Sequence, residues 1–261
     1  MSSDSDLRNL GKTDRHTQIL LELRLAPHVR VADLAAKFGV TTETVRRDIA
    51  ELSNQGLLQK SHGGASPCAS GTYRALDQRQ GECVKERQQL AHKAATLVKD
   101  GQTLMIDAGS TAMEFARALA IIGRQVTVVT NSLQVAMILG TSDSVNVIVA
   151  PGRYLNDEAA LVGTETCSFL RRYHVDACYL SASALGEMGV SESIDGFGSV
   201  KRTMLEQSSA QYFLIDGSKF GKRHLLKVAD ISEIGNLVTD REPSGELAQA
   251  LKKQNIKIIL S

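Results

Sequence analysis

Val31-Ala32-Asp33-Leu34-Ala35-Ala36-Lys37-Phe38-Gly39-Val40-Thr41-Thr42-Glu43-Thr44-Val45-Arg46-Arg47-Asp48-Ile49 reads as two short helices joined by a tight turn. Leu34, Ala35 and Phe38 share one helical face, and Gly39 stands where a helix needs a left-handed terminator. Thr41-Thr42 are residue types that cap a new helix, in which Val45, Ile49 and Leu52 recur at i, i+4, i+7 and bury one stripe. Glu43, Thr44, Arg46, Arg47 and Glu51 are then turned outward, with Asp48 adding to the acidic charge nearby. Upstream, Ile19, Leu20, Leu23 and Leu25 give Thr17 to Leu25 the stripe of a third helix. Arg30 stands where Ser or Thr would cap the middle helix better.

Helix, four-residue turn with glycine, and a second helix with Arg and Thr at its start form the helix-turn-helix arrangement, whose second helix enters the DNA major groove N-terminus first. Arginine pairs bidentately with guanine edges, and threonine touches a thymine methyl or a phosphate. Thr42, Thr44, Arg46 and Arg47 are therefore the candidate readers. Leu57 to Gly64 reads as a short β-hairpin, a wing that lays Lys60, His62 and Gly63 along the phosphates. The same three-helix pattern also fits a module for partner docking or dimerisation.

Composition frames these readings. The 261 residues are 43% hydrophobic and 23% charged, as in ordinary globular chains. A net charge of +1 means that nucleic-acid binding needs a local basic surface, and 4% aromatic residues without Trp argue against a base-stacking single-strand binder. No run of 18 apolar residues occurs and the N-terminus is polar, so neither a membrane span nor a secretory signal is expected, and the location expected is cytoplasmic. Cys68, Cys83, Cys167 and Cys178 form no C-x-x-C pair and read as free thiols; the six histidines lack metal-ligand spacing. Neither a metal nor a cofactor is expected.

Composition changes near residue 62, where small, turn-rich residues run on to Gly71. The domains expected are a helix-turn-helix unit over 14–65 (motif about 30–49), a linker over 66–82 and a second domain over 83–261. In the latter, helical patterns alternate with short apolar runs at Thr103–Ile106, Val126–Val129, Val145–Val149, Cys178–Leu180, Tyr212–Ile215 and Ile256–Leu260, which implies an open, mainly parallel α/β sheet. Val84 to Val98 reads as a helix coupling the two domains.

Three of these runs end in small or hydroxyl-bearing residues before a helix: Gly109, Ser110 and Thr111; Thr130, Asn131 and Ser132; and Gly152. Ligands of open parallel sheets bind beyond the carboxyl ends of the strands, where helix N-termini favour anions. Each turn alone is an ordinary cap; their coincidence points to a phosphate pocket. Lys201, expected at the start of a helix over Val200–Gln207, and Lys219, just past a strand end, are the lysines placed to complete it.

The stretch 31–49, together with Gln55-Gly56-Leu57-Leu58 and His62-Gly63-Gly64-Ala65, resembles the N-terminus of the DeoR family of bacterial sugar-metabolism regulators. The pieces D-A-G-S-T (107–111), T-N-S (130–132), V-K-R (200–202) and D-G-S-K-F-G (216–221) are similar to the same family's sugar-phosphate-sensing domain, related in fold to ribose-5-phosphate isomerase. The resemblance implies that Thr44, Arg46 and Arg47 read DNA and that His62-Gly63 is the wing tip. It departs from the family at Arg153, where a second Gly is usual, and at Gly196-Phe197-Gly198, where acidic residues are common; both places are expected to border the ligand. Where the isomerases carry acidic residues, this chain has Ser181 to Leu185 and Val200-Lys201, so no carboxylate general base is expected there.

The function expected is a DNA-binding transcriptional regulator, a repressor of a carbohydrate-catabolism operon that a phosphorylated sugar releases, and not an enzyme. The partners expected are a double-stranded operator with an inverted repeat, that effector, and further copies of the chain in a homodimer or homotetramer. The alternative is a sugar-phosphate isomerase or transferase with an accessory helical domain.

Overall fold

The computed structural model describes residues 10–25, 28–54, 58–61, 63–67, 76 and 83–261. The chain divides into two units, 1–72 and 73–261. His62, Cys68 and most of the expected linker lie outside the described residues.

In the first unit, helix α1 (Lys12–Leu25), strand β1 (Val29–Arg30), α2 (Val31–Phe38) and α3 (Thr42–Asn54) are followed by β2 (Leu58–Ser61) and β3 (Gly64–Pro67). The strands form one antiparallel sheet in the order β1-β3-β2, which adds a third strand to the expected two-stranded wing. Ile19, Leu34, Phe38, Val45, Ile49, Leu52 and Leu58 meet in a single core. Burying such side chains contributes about 1.5–3 kcal/mol each. Gly39 closes α2 at φ 68, ψ 31, the left-handed geometry that a Cβ disfavours. The missing side-chain cap at Arg30 has a backbone substitute: the Val31 N–H donates to the Gly63 carbonyl at 2.9 Å, so the wing turn caps α2. At α3 the expected cap forms, with the Thr44 N–H donating to Thr41 Oγ1 at 3.2 Å.

The second unit runs α4 (Val84–Ala95), β4 (Thr103–Ile106), α5 (Ser110–Ile122), β5 (Val126–Thr130), α6 (Leu133–Leu139) and β6 (Val145–Val149). An excursion follows: β7 (Arg153–Leu155), a 3-10 turn (Asn156–Glu158) and β8 (Ala160–Val162). Next come α7 (Thr164–Leu170), β9 (Val175–Ser181), β10 (Ala184–Gly186), β11 (Gly189–Glu192), α8 (Phe197–Glu206), β12 (Ser208–Leu214), β13 (Leu226–Ala229), β14 (Asn236–Thr239), α9 (Gly245–Lys253) and β15 (Lys257–Leu260). The principal sheet is parallel throughout, in the order β15-β14-β12-β9-β4-β5-β6. Strand alternation feeds two cores. Leu104, Ile106, Ala177 and Tyr179 face α4, α5 and α6, while Met105, Cys178, Leu180 and Phe213 face α7, α8 and α9. Alanines 91, 94, 112 and 116 line the first core, and Phe115, Tyr179 and Tyr212 stack across it at 4.4 and 4.8 Å.

Three expectations are corrected here. β14 escaped the sequence pattern because only Leu237 and Val238 in it are large and apolar. The small antiparallel sheet β10-β11-β13 was also missed, its strands being only three or four residues long. Third, α8 begins at Phe197, so Lys201 lies in its second turn rather than at its start.

Candidate functional site

On α3 the core stripe leaves the opposite face free. The Arg46 and Arg47 side chains are 65% and 80% exposed and fold back on Glu43, at 3.8 and 3.4 Å. Such exposed pairs contribute little and open readily for a stronger acceptor such as a phosphate or a guanine. Thr42 is exposed, whereas Thr44 is half-buried and its hydroxyl pairs with Thr41 Oγ1 at 2.9 Å. Asp48, counted from sequence among the acidic residues that reduce the local positive charge, is 3% exposed: Arg15 and His16 of α1 hold it. The acidic charge on the reading face is therefore smaller than the sequence suggests. On the wing, Lys60 is exposed and Gly63 takes φ 78 in the turn between β2 and β3.

In the second unit the strand order reverses between β4 and β9. From β4 the chain builds outward through β5 and β6, then returns to the other side of β4 to add β9, β12, β14 and β15. Loops leave such a reversal in opposite directions and open a crevice at the carboxyl edge, where ligands of open α/β sheets bind. Two turns flank this one. Asp107 follows β4, Ser181 ends β9, and the Ser181 N–H and Oγ both donate to Asp107 Oδ2 at 2.9 Å.

The expected effector residues divide between the crevice and its supports. Gly109, Ser110 and Thr111 form the turn into α5, and the Ser110 and Thr111 side chains are nearly buried beside Asp107 in sequence. Within α5 the first backbone bond is Met113 N–H to Gly109 O, which leaves the Ser110, Thr111 and Ala112 amides without helical acceptors. Thr130 and Ser132 act as caps: Thr130 Oγ1 accepts from the Ser132 N–H and Ser132 Oγ from the Val135 N–H. Asn131 ties β8 down through its backbone carbonyl and its Nδ2, which meet the Leu161 N–H and carbonyl at 2.8 and 2.9 Å. Gly152 packs against α7, where an added Cβ would lie 2.0 Å from Thr166 Oγ1. Lys219 sits in the turn after β12, where it and Asp216 act on the Cys83 thiol, which burial pushes up.

Lys201 is 1% exposed and fully engaged. Its ammonium donates to Asp107 Oδ2, to the Ser181 carbonyl at 2.8 Å and toward Glu192 Oε1 at 3.4 Å. Burial alone would lower its pKa, but Asp107 and Glu192 outweigh burial and hold it above the ordinary lysine range. Glu192 also accepts from the Ser183 N–H and Oγ at 3.1 and 2.6 Å. Glu158, carried in by the excursion, is 1% exposed, and burial together with Glu192 pushes its carboxyl up to about 8 against the pull of Lys201. The expectation that this place lacks carboxylates is thus overturned: three acidic side chains converge on it, Asp107 after β4, Glu158 from the 3-10 turn of the excursion and Glu192 at the end of β11. Phe197 does not border an open ligand surface; it is 3% exposed in the core, with Lys201 Nζ 5.7 Å from its ring centroid. Arg153 is exposed on β7. Glu158 and Glu192 carried no sequence signal, since neither stands in a recognisable motif. Asp107 had one, its place directly before Ala108-Gly109-Ser110-Thr111. A shallow depression lined by Gly101, Gln125 and Asn146 lies at the amino end of the strands, away from this chemistry.

Known proteins match the same two regions. Residues 15–70 match the DeoR-like helix-turn-helix domain and residues 82–241 the DeoR C terminal sensor domain. The chain is 30% identical to the HTH-type transcriptional repressor CsqR of Escherichia coli over 97% of each chain. It is 29% identical to the glycerol-3-phosphate regulon repressor of the same species, over 96% of this chain and 100% of that one. Among solved structures, ribose 5-phosphate isomerase A of Methanocaldococcus jannaschii aligns with 51% of this chain and 53% of its own at 20% identity and a TM-score of 0.39. With both halves of the chain matched in order, the chain belongs to the DeoR family of DNA-binding transcriptional regulators rather than to an enzyme family.

Proposed function

We propose that this regulator represses a carbohydrate-catabolism operon and that a phosphorylated sugar, bound in the crevice between β4 and β9, releases it from its operator. The observation that carries the reading is the presence in one chain of an exposed arginine pair on the second helix of a helix-turn-helix and of a reversal of strand order in a parallel sheet, beyond whose carboxyl edge such sheets bind ligands. Repressor names among its relatives, one of them for a glycerol-3-phosphate regulon, support both halves.

Arg46, Arg47 and Thr42 meet base edges, with Thr44 fixing the start of α3, while Lys60, Gly63 and His62 meet phosphates. An inverted repeat needs two reading helices, so the working form is a homodimer or homotetramer in the cytoplasm. In the crevice, the free amides of Ser110 and Thr111 receive the phosphate, Gly109 lets it approach, and Thr130, Asn131, Ser132 and Gly152 hold the adjoining wall. Lys219 is close to the rim of the same edge. Release follows when the sugar phosphate binds more tightly to the conformation that holds DNA poorly, because only differential affinity shifts a population.

The test is fluorescence anisotropy of the full chain on a duplex from its own upstream region, at two salt concentrations, with and without sugar phosphates. Saturable sequence-selective binding relieved by one phosphate ester supports the reading. Selective binding that no phosphorylated compound relieves would remove the effector half of it.

A further inference from the structure

Resting on the reading of this chain as a regulator that works in more than one copy, we propose that two copies join through β6, laid antiparallel edge to edge so that their principal sheets become one. β6 (Val145–Val149) ends the order β15-β14-β12-β9-β4-β5-β6, with β5 on one side and no strand among the described residues on the other. Toward β5 the bonds fall on even-numbered positions: the Val126 N–H donates to the Ser144 carbonyl at 3.1 Å and the Ala150 N–H to the Thr130 carbonyl at 2.8 Å. Backbone groups alternate in direction along a strand, so Val147 and Val149 turn their N–H and C=O outward. Those outward groups meet no backbone partner among the described residues.

Such an edge is a template for another strand unless a charge, a proline or a bulge blunts it. Val145-Asn146-Val147-Ile148-Val149 contains neither charge nor proline, and its register with β5 is unbroken. The opposite edge differs: β15 opens with Lys257, and Lys252 and Lys253 precede it on α9. Side chains around β6 agree. Val149 is exposed on the strand, Met137 on α6, the helix packed on β6, and Tyr154 on β7 just beyond it.

The pattern of the edge identifies its occupant as a second copy. An isologous contact must be self-complementary under a two-fold rotation. Val147 and Val149 meet this demand, because opposite residues of an antiparallel ladder exchange both bonds and a reversed copy offers the same groups in return. The two ends of β6 also carry opposite charge. Asp143 is exposed before the strand and Arg153 after it, so reversal turns Arg153 of each copy toward Asp143 of the other, whereas a parallel copy would set like against like. The shallow depression at the amino end, which Asp143 and Asn146 line, leaves room there for an incoming side chain. A two-fold pair is in turn what an inverted repeat requires.

Sedimentation equilibrium of the full chain tests this. Val147→Pro deletes an outward N–H that the single chain does not use, at a sheet edge where proline is tolerated. Val149→Lys sets a charge on the same edge. Each is expected to weaken self-association at least tenfold, the assembly falling to half its mass at concentrations that just suffice for the parent, while Ile258→Lys on β15 leaves it unchanged. Should Val147→Pro fail to fold by circular dichroism, Val149→Lys, whose side chain replaces an exposed one, decides alone. A folded Val149→Lys protein that assembles like the parent overturns the proposal and leaves the operator reading standing, as does dissociation by Ile258→Lys alone. A parent that is monomeric at every concentration overturns both the interface and the expected homo-oligomer.

Discussion

Arg15 of α1 grips Asp48 of α3 across 33 residues of sequence, its Nε and Nη2 donating to the two carboxylate oxygens at 2.8 and 3.2 Å. His16 Nε2 lies 3.2 Å from the same carboxylate, and the Asp48 side chain is only 4% exposed. An acidic residue directly after the arginine pair looks unfavourable for DNA binding, but here it fixes the helix that carries the pair. Removing one partner of a buried pair leaves the other uncompensated, at about 3–5 kcal/mol. Asp48→Ala is expected to lower stability toward that range in urea unfolding of the full chain, and Asp48→Asn less, because the amide oxygen still accepts from Arg15. A loss below about 1 kcal/mol in Asp48→Ala would show that the pair does not hold α3.

Arg46 and Arg47 have the opposite environment, so their substitution should leave stability nearly unchanged. A base-reading arginine contributes about 1–3 kcal/mol and sets preference at one position, whereas a phosphate contact weakens all sequences alike. Arg46→Ala and Arg47→Ala are each expected to reduce operator affinity within that range and relax selectivity. Lys60→Ala on the wing is expected to weaken operator and unrelated duplex equally and to lower the salt slope by about 1. Anisotropy titrations at two salt concentrations separate the two classes; an Arg47→Ala protein with unchanged operator affinity would take that residue off the reading face.

Glu158 makes stability depend on pH with a definite sign. Its folded-state carboxyl titrates near 8, raised by burial and by Glu192 from an ordinary value of 4.5. Between those values the folded chain holds a proton that the unfolded chain has lost, so this contribution is fully present below 4.5 and disappears as pH rises through about 8. Glu158→Gln cannot ionise. It is expected to match the parent near pH 5 and to exceed it in thermal stability above pH 8. A constant difference between the two proteins across this interval would mean that Glu158 is ionised in the folded state throughout.

The parts legible in the sequence were those with a period or a cap. Val45, Ile49 and Leu52 marked α3, Thr41 its start and Gly39 the turn, and runs such as Val126–Val129 marked buried parallel strands because both faces of the sheet are covered. The helix-turn-helix and the Gly109-Ser110-Thr111 turn followed. The partners of Lys201 did not, because Asp107, Glu158 and Glu192 are 94, 43 and 9 positions away from it along the chain and meet only once the strand order and the β7–β8 excursion are known. For the same reason Asp48 counted among the acidic residues that reduce the local positive charge: polarity in sequence says what a side chain can pair with, not that its partner lies on another helix.

The excursion that delivers Glu158 depends on Gly152, at its entry. There the backbone takes φ +151, and an added Cβ would meet Thr166 Oγ1 at 2.0 Å and the Val162 carbonyl at 2.8 Å. Thr166 Oγ1 also donates to the Pro151 carbonyl at 2.7 Å, so a methyl group at 152 would push apart the contact that seats the loop on α7. Gly163 supplies the control, since it too has positive φ (+112) but nothing within 4 Å of a built Cβ. Gly163→Ala therefore carries only the backbone term of a nearly glycine-only conformation (φ 112, ψ −175), about 1–3 kcal/mol. Gly152→Ala adds overpacking of about 1–3 kcal/mol. Thr166→Ala in the Gly152→Ala background is expected to recover part of the loss, not all, because the Val162 carbonyl remains. Urea unfolding ranks the variants, and operator binding of Gly152→Ala should survive while its response to sugar phosphate falls. Equal losses in Gly152→Ala and Gly163→Ala would mean that the close approach to Thr166 has no part in holding the loop.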